Sequence, residues 1–375
     1  MIQLKYVKTQ MITLLILINF LSGCTHLNSG ADHETITVSR SAVEMGTVVS
    51  LTLYAEKGKL SGQEGRALLS KRADHIFEII EELDRKVLSW RSADSEVSRF
   101  NDLDDSERLT VSQELFDVIK QSIEICSRSG SALDITLRPV IDLWGIESYD
   151  GSSDYFPPDE SSIKDFSPLV GIGHVIINKN EDGSASLSKD ISGVSLDLGA
   201  VGKGFALDAV VNELAETEIS GAVIAVGGSI LAYGDKGDPW KIGIRDPERA
   251  PNDYAAILSL AGKEGETVFI STSGGYEKYV KYKDQIFEHI IDGRTLHPAA
   301  GDLASVTIVT KNSGLISDGL STACYLLGID ASKPLLDHYH ADAVFITKDH
   351  KIFLTEGLRD ILSLNNSAYS IADVP

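Results

Sequence analysis

The stretch "VSLDLGAVGKGFALDAV", Val194 to Val210, decides between two architectures. Three glycines, Gly199, Gly202 and Gly204, and a single lysine, Lys203, stand between two apolar runs. That composition resembles a loop that cradles phosphate in a parallel α/β fold. The spacing excludes both standard versions. A Walker loop needs a glycine five residues before Gly202 and a serine or threonine after Lys203, and the chain has Asp197 and Gly204 there. The dinucleotide fingerprint G-x-G-x-x-G cannot be laid over Gly199, Gly202 and Gly204 either. What remains is strand, turn and helix. Val194, Leu196 and Leu198 alternate as a strand does, and Phe205 to Leu214 repeats apolar residues at helical spacing. Asp197 then falls at a strand end and Lys203 at a helix entrance. By itself the stretch is compatible with a structural turn as well as with a ligand site.

The flanking sequence points to antiparallel sheets rather than to βαβ alternation. "ALLSKRADHIFEIIEELDRKVL" places Ile76, Ile79, Ile80, Leu83 and Val87 on one face of a long helix. "SQELFDVIKQSIEICSRSG" reads as a second helix, with Ser112 as N-cap and Gly130 past its end. Hairpins are expected around Asp182-Gly183 and near Asp284, and "ASVTIVTK" reads as a strand before the helical "LISDGLSTACYLLG". Long helices mixed with hairpins predict an α+β fold, with antiparallel sheets and flanking helices in a single large domain. The polar "ESYDGSSDYFPPDESS" reads as an excursion within it. Trp144 and Trp240 are read as core.

The N-terminus carries an address. Lys5 and Lys8 precede the apolar run Met11 to Leu21, too short to span a membrane and suited to the core of a signal peptide. The following Leu21-Ser22-Gly23-Cys24 resembles the lipobox of bacterial lipoproteins, which implies lipidation of Cys24 and a membrane-anchored protein facing the periplasm or the cell exterior. Beyond Gly23 the chain keeps 32 basic against 55 acidic residues, a net charge of −23. Such a field argues against nucleic-acid partners and makes phosphate binding depend on local cations or a metal ion. Cys126 and Cys324 lie in apolar segments, so no disulfide framework is called for.

Nine segments stand in one order: "MGTVVSLTLY", "LDRKVLSWRSADSEVSRFN", "ALDITLRPVIDLWG", "LDLGAVGKGFALD", "AVGGSILAYG", "WKIGIRDPE", "STSGGYEKY", "HIIDGRTLHP" and "VTIVTKNSGLISDGLSTACYLLG". Together, from about Val43 to Gly328, they resemble the FAD:protein FMN transferases, the ApbE family. The resemblance implies a T-fold-like domain and a Mg2+-dependent enzyme. Such an enzyme splits FAD, releases AMP and attaches FMN through a phosphoester to a threonine or serine of an acceptor protein, expected to be a subunit of a membrane redox complex. The expected division is a signal peptide over 1–23, a lipidated N-terminus and tether over 24–40, the transferase domain over 41–360 and a C-terminal tail over 361–375. A pyrophosphatase giving FMN and AMP, and a flavin-holding lipoprotein without catalysis, are the alternatives.

The chemistry needs hard oxygens for the cation, a base for the hydroxyl proton and surfaces for two ring systems. Asp318 and Thr322, four apart at a helix start, share one face. By resemblance they are metal ligands together with Ala200, which would act through its carbonyl. Asp197, Lys203, Thr272 and Ser273 are expected to contact FAD. A histidine ordinarily titrates near neutrality, and by resemblance His289 in "FEHIID" is the expected base, with Asp292 as its partner. Met45, Trp90, Ala132, Leu133 and Asp134 are assigned to the rings, Trp90 by stacking and Asp134 by accepting from a ring amine. Gly227 and Gly228 are expected to allow close packing near the ligand. The chain departs from the family pattern at Gly275, Gly293 and Leu296, and Arg138 has no assigned role.

Overall fold

The computed structural model describes residues 35–56, 61–215 and 218–373. Cys24 and the apolar run before it lie outside the described residues. The centre is a nine-stranded sheet. Its order is Thr35–Glu44, Thr47–Glu56, Gly221–Val226, Ser229–Gly234, Thr267–Gly274, Leu303–Thr310, Asp342–Thr347, Lys351–Leu354 and Ser370–Ile371. Every neighbouring pair is antiparallel except the last.

Period-two side chains in the central strands divide the interior into layers. Leu231, Phe269, Ile308 and Phe345 face one side, while Ala232, Ile270, Val309 and Val344 face the other. The first side is covered by helices. Gly62–Leu83 packs Leu69, Ala73, Ile76 and Ile80 against the first strands beside Gly202–Ala215, and Gln113–Arg128 and Gly314–Leu327 cover the far half. The second side is covered by a smaller sheet of Trp240–Arg245, Tyr254–Leu260 and Leu362–Leu364. Both faces are dry, which is why these strands read as near-continuous apolar runs.

Both expected hairpins form, Val175–Lys179 with Ala185–Lys189 and Tyr279–Tyr282 with Gln285–Glu288. Ser112 caps its helix by accepting from Leu115 N, and Trp144 and Trp240 are buried. Two expectations change. The expected tether and tail are built into the fold at their inner ends: residues 35–40 belong to the first strand, and Leu362–Leu364 pairs with Tyr254–Leu260. The strand expected at Val194–Leu198 is extended and alternately buried, yet it joins no sheet beyond one bridge from Ser195 to Leu137. Its backbone is satisfied partly by backbone, Asp197 N donating to Ile135 O at 2.8 Å, and partly by side chains. Asn101 receives Leu196 N at 2.7 Å on Oδ1 and donates from Nδ2 to Leu196 O at 3.0 Å, and Lys189 Nζ donates to Val194 O at 2.8 Å. A buried backbone must be paired, but not by a neighbouring strand.

Candidate active site

Three backbone features, a tight turn and two close approaches, surround a cavity of about 580 Å³, and the first two line it. At the first hairpin, Met45 and Gly46 have φ of 52° and 67°, the two positive values that a two-residue turn matched to strand twist requires. The turn holds Met45 over the cavity. Gly227 and Gly228 come next. A Cβ on Gly227 would stand 2.9 Å from Thr47 Oγ1, and one on Gly228 would stand 2.8 Å from Thr272 O, so the expected tight packing is present. At the second approach Gly204 and Gly314 touch backbone to backbone where two helices begin, with no room for a Cβ on either.

That helix contact positions Asp318. Its Oδ2 accepts from Gly204 N at 3.0 Å, its Oδ1 accepts from Ser229 Oγ at 2.9 Å, and Lys203 Nζ stands 3.6 Å away. Asp208, its pKa raised by burial, receives the free N–H groups of Gly314 and Leu315 at 2.6 and 2.9 Å. Because Gly204 N donates to Asp318, it does not return to Ala200 one turn earlier, and the Ala200 carbonyl accepts no hydrogen bond among the described residues. Thr322 Oγ1 lies 3.0 Å from Ser273 Oγ on the same wall. One carboxylate, one hydroxyl and one unpaired carbonyl thus line one cavity. These are hard oxygens of the kind that suit magnesium. Among the described residues no group of three or more His, Cys, Asp or Glu side chains is placed to hold an ion.

His289 stands on the same cavity, half-buried. Its Nδ1 lies 3.1 Å from Lys278 O. A carbonyl only accepts, so Nδ1 carries the proton and the neutral ring keeps its lone pair on Nε2. Burial lowers the pKa below the usual imidazole value, and the nearby Glu277 opposes the shift. The ring is therefore neutral, oriented and able to take a proton.

A family model described as the ApbE family matches residues 45–345. The chain belongs to the ApbE family. It is similar to the FAD:protein FMN transferase of Klebsiella pneumoniae strain 342, with 27% identity over 338 residues, 89% of this chain and 91% of that protein. A relative of the same name from Escherichia coli K12 is 28% identical over 308 residues, 80% of this chain and 85% of its own length. Among solved structures, the flavin transferase ApbE from Vibrio cholerae aligns with a TM-score of 0.71 at 26% identity, covering 88% of this chain and all of that one. The ApbE protein from Thermotoga maritima also gives 0.71, at 25% identity over 87% of this chain and 99% of its own.

Within this ApbE chain, Met45, Trp90, Leu133, Asp134, Asp197, Ala200, Lys203, Thr272, Ser273, His289, Asp318 and Thr322 line the cavity together. Ala132 and Asp292 do not. Ala132 is fully buried, and its carbonyl receives Gly293 N at 3.0 Å. Asp292 is held by Arg294, which donates from Nη2 at 2.6 Å and from Nε at 2.9 Å, so the carboxylate does not orient His289. Asp134 accepts from Thr136 N in its own loop and from Ile172 N on a separate segment, so backbone donors rather than a ring amine engage its two oxygens. Both Asp197 oxygens are engaged, one by Arg138 Nη1 at 3.0 Å and the other by Gly199 N at 2.8 Å.

Arg138 answers for itself here. Its guanidinium lies 3.3 Å from the centroid of the Trp90 ring, and that of Arg91 lies 4.0 Å from the same centroid. Two guanidinium groups cannot share one face at those distances, so the indole is covered on both sides. Stacking of a substrate ring on Trp90 requires the exposed Arg91, paired with Glu147 at 3.1 Å, to move or to stack in its place. The other departures also have local causes. The Glu288 carboxylate occupies the space a Gly275 side chain would need, and a Cβ on Gly293 would meet Ser131 O. Leu296 holds φ of 62° in a tight turn closed by Leu296 N to Asp292 O at 2.7 Å.

Sequence reasoning did not single out Arg245, Tyr276, Glu277 or Lys278, all on the cavity wall. The charges and the aromatic ring packed into "GGYEK" were the available signal.

Proposed function

We propose that this chain transfers FMN from FAD to a threonine or serine hydroxyl of an acceptor protein and releases AMP. The observation that carries the reading is His289, fixed by Lys278 O with Nε2 free, on the same wall as Asp318, Thr322 and the open Ala200 carbonyl. The names of the relatives support it. Nε2 takes the proton as the acceptor oxygen forms its bond to the FMN phosphorus. The bond from that phosphorus to the bridging oxygen breaks, and AMP carries the electron pair away. Asp318, Thr322 and the Ala200 carbonyl would hold Mg2+, which supplies charge neutralisation at the pyrophosphate. Lys203, braced at 2.8 Å on Gly199 O, adds a fixed positive charge beside Asp318.

A base positioned by the backbone favours transfer over mere holding of flavin, since holding needs no proton acceptor. The anchor belongs to the same proposal. Lipidated Cys24 would tether the domain to a bacterial membrane, facing the periplasm or exterior, within reach of a membrane redox subunit. No helix among the described residues is long and apolar enough to cross a membrane. Mass spectrometry of a co-expressed acceptor domain tests transfer: one added FMN with wild type and a rate of addition lower by roughly a hundredfold or more with His289→Ala is expected, and an unmodified acceptor with FMN and AMP accumulating would establish hydrolysis instead. Loss of membrane association in Cys24→Ser is the corresponding test of the anchor.

A further inference from the structure

Three arginines among the described residues are not exposed. Arg72 pairs with Glu213 at 3.0 Å, and Arg138 pairs with Asp197 and Asp142. Arg245, on the cavity wall at the end of Trp240–Arg245, has no carboxylate partner among the described residues. Its Nε is buried without a hydrogen-bond acceptor, and its guanidinium lies over Tyr276 at 4.7 Å from the ring centroid. In a chain of net charge −21, acids are not scarce, so an unpaired half-buried guanidinium requires a reason. Lys278 also lines the cavity without an ion pair among the described residues, although Glu277 lies between it and Tyr276 in sequence. The remaining cavity cations are engaged, Lys203 with Gly199 O and Arg91 with Glu147.

We propose that Arg245 and Lys278 form an oxyanion-binding subsite on the His289 side of the cavity, taking a phosphate or a carboxylate. Lys278 places it there, because the carbonyl of that residue holds the His289 ring. Tyr276 fixes the guanidinium plane, which leaves a planar fork suited to two oxygens of one anion, while Lys278 adds a point charge. The subsite rests on the transfer reading and extends it. The anion is either a phosphate of the nucleotide or an acidic side chain of the acceptor segment near its hydroxyl.

The test uses Arg245→Met, which keeps the apolar contact with Tyr276, Arg245→Lys, which keeps the charge, and Lys278→Gln. Calorimetry measures FAD, AMP and inorganic pyrophosphate binding at low and high salt, and steady-state flavinylation measures the KM for an acceptor domain at saturating FAD. Arg245→Met should weaken one arm by about tenfold or more, with kcat moving far less and the effect shrinking at high salt. Arg245→Lys should recover part of the loss. A defect in the nucleotide arm identifies phosphate, and a defect in the acceptor arm identifies a carboxylate. Unchanged constants in every arm overturn the subsite, as do equal losses in the Met and Lys variants accompanied by a lower melting temperature. The pyrophosphate titration tests the subsite even where wild type fails to transfer, an outcome that would overturn the transfer reading by itself.

Discussion

The Nδ1 of His289 lies 3.1 Å from the main-chain oxygen of Lys278, and this one contact sets which nitrogen can accept a proton. His289→Ala should keep FAD affinity within a few-fold and lower transfer by roughly a hundredfold or more, the usual contribution of a general base. Burial lowers the folded pKa of His289, so the neutral form prevails at and above the ordinary value of about 6.5. The kcat/KM profile should be flat above that value, fall only in more acidic solution, and lose its acid limb in the variant. Stability has the same sign. The unfolded chain takes this proton at higher pH than the folded one, so the contribution is complete above the unfolded value and is lost as pH falls toward the folded value. His289→Gln should melt with less acid sensitivity over that window.

Asp318 also holds the fold together. Only 3% exposed, its carboxylate is the acceptor for Gly204 N and Ser229 Oγ. Asp318→Ala should abolish magnesium-dependent transfer and also destabilise the fold by about 1–3 kcal/mol for each donor left without an acceptor. Urea unfolding beside a magnesium titration checks both. A variant as stable as wild type would mean the two donors find other partners.

Gly204→Ala should be among the most damaging single-methyl changes in the molecule. The new carbon would enter the Gly314 backbone, and separating the two helix starts should cost about 1–3 kcal/mol or more while displacing Asp318. Gly301→Ala, with nothing within 4 Å of its Cβ, serves as the control and should leave the melting temperature and transfer rate unchanged.

Leu296 offers a test in which the larger truncation does less harm. The residue is buried at 9% exposure, yet its φ of 62° is one that a side chain resists. Leu296→Ala and Leu296→Gly lose the same packing apart from one methyl, but only glycine relieves the strain. Leu296→Gly should therefore be the more stable of the two by about 1 kcal/mol, measured by chemical denaturation.

Elements set by local pattern were legible in the sequence. The helix of Gln113–Arg128 and the hairpin Val175–Lys179 with Ala185–Lys189 follow from capping, periodicity and turn residues within a few positions. That Asp318, Thr322 and His289 share one cavity also followed from the sequence pattern. The site was not legible where a competing partner decides the outcome. Asp292 turns to Arg294, two residues away, and Trp90 is taken by Arg138, far along the chain, neither of which spacing reveals. The edge of Val194–Leu198 was misread because Asn101, almost a hundred positions earlier, pairs both backbone groups of Leu196, while Asp197 N turns to Ile135 O.

The placement of the three tryptophans makes the molecule its own optical sensor. Trp144 and Trp240 sit in dry cores, at 3% and 4% exposure, and neither borders the cavity. Only Trp90 does, clasped between one anchored and one exposed guanidinium. A guest that displaces Arg91 changes the surroundings of that indole and no other, so intrinsic emission reports occupancy without a label. Replacing Trp90 by phenylalanine would leave a constant background against which flavin quenching can be read by difference.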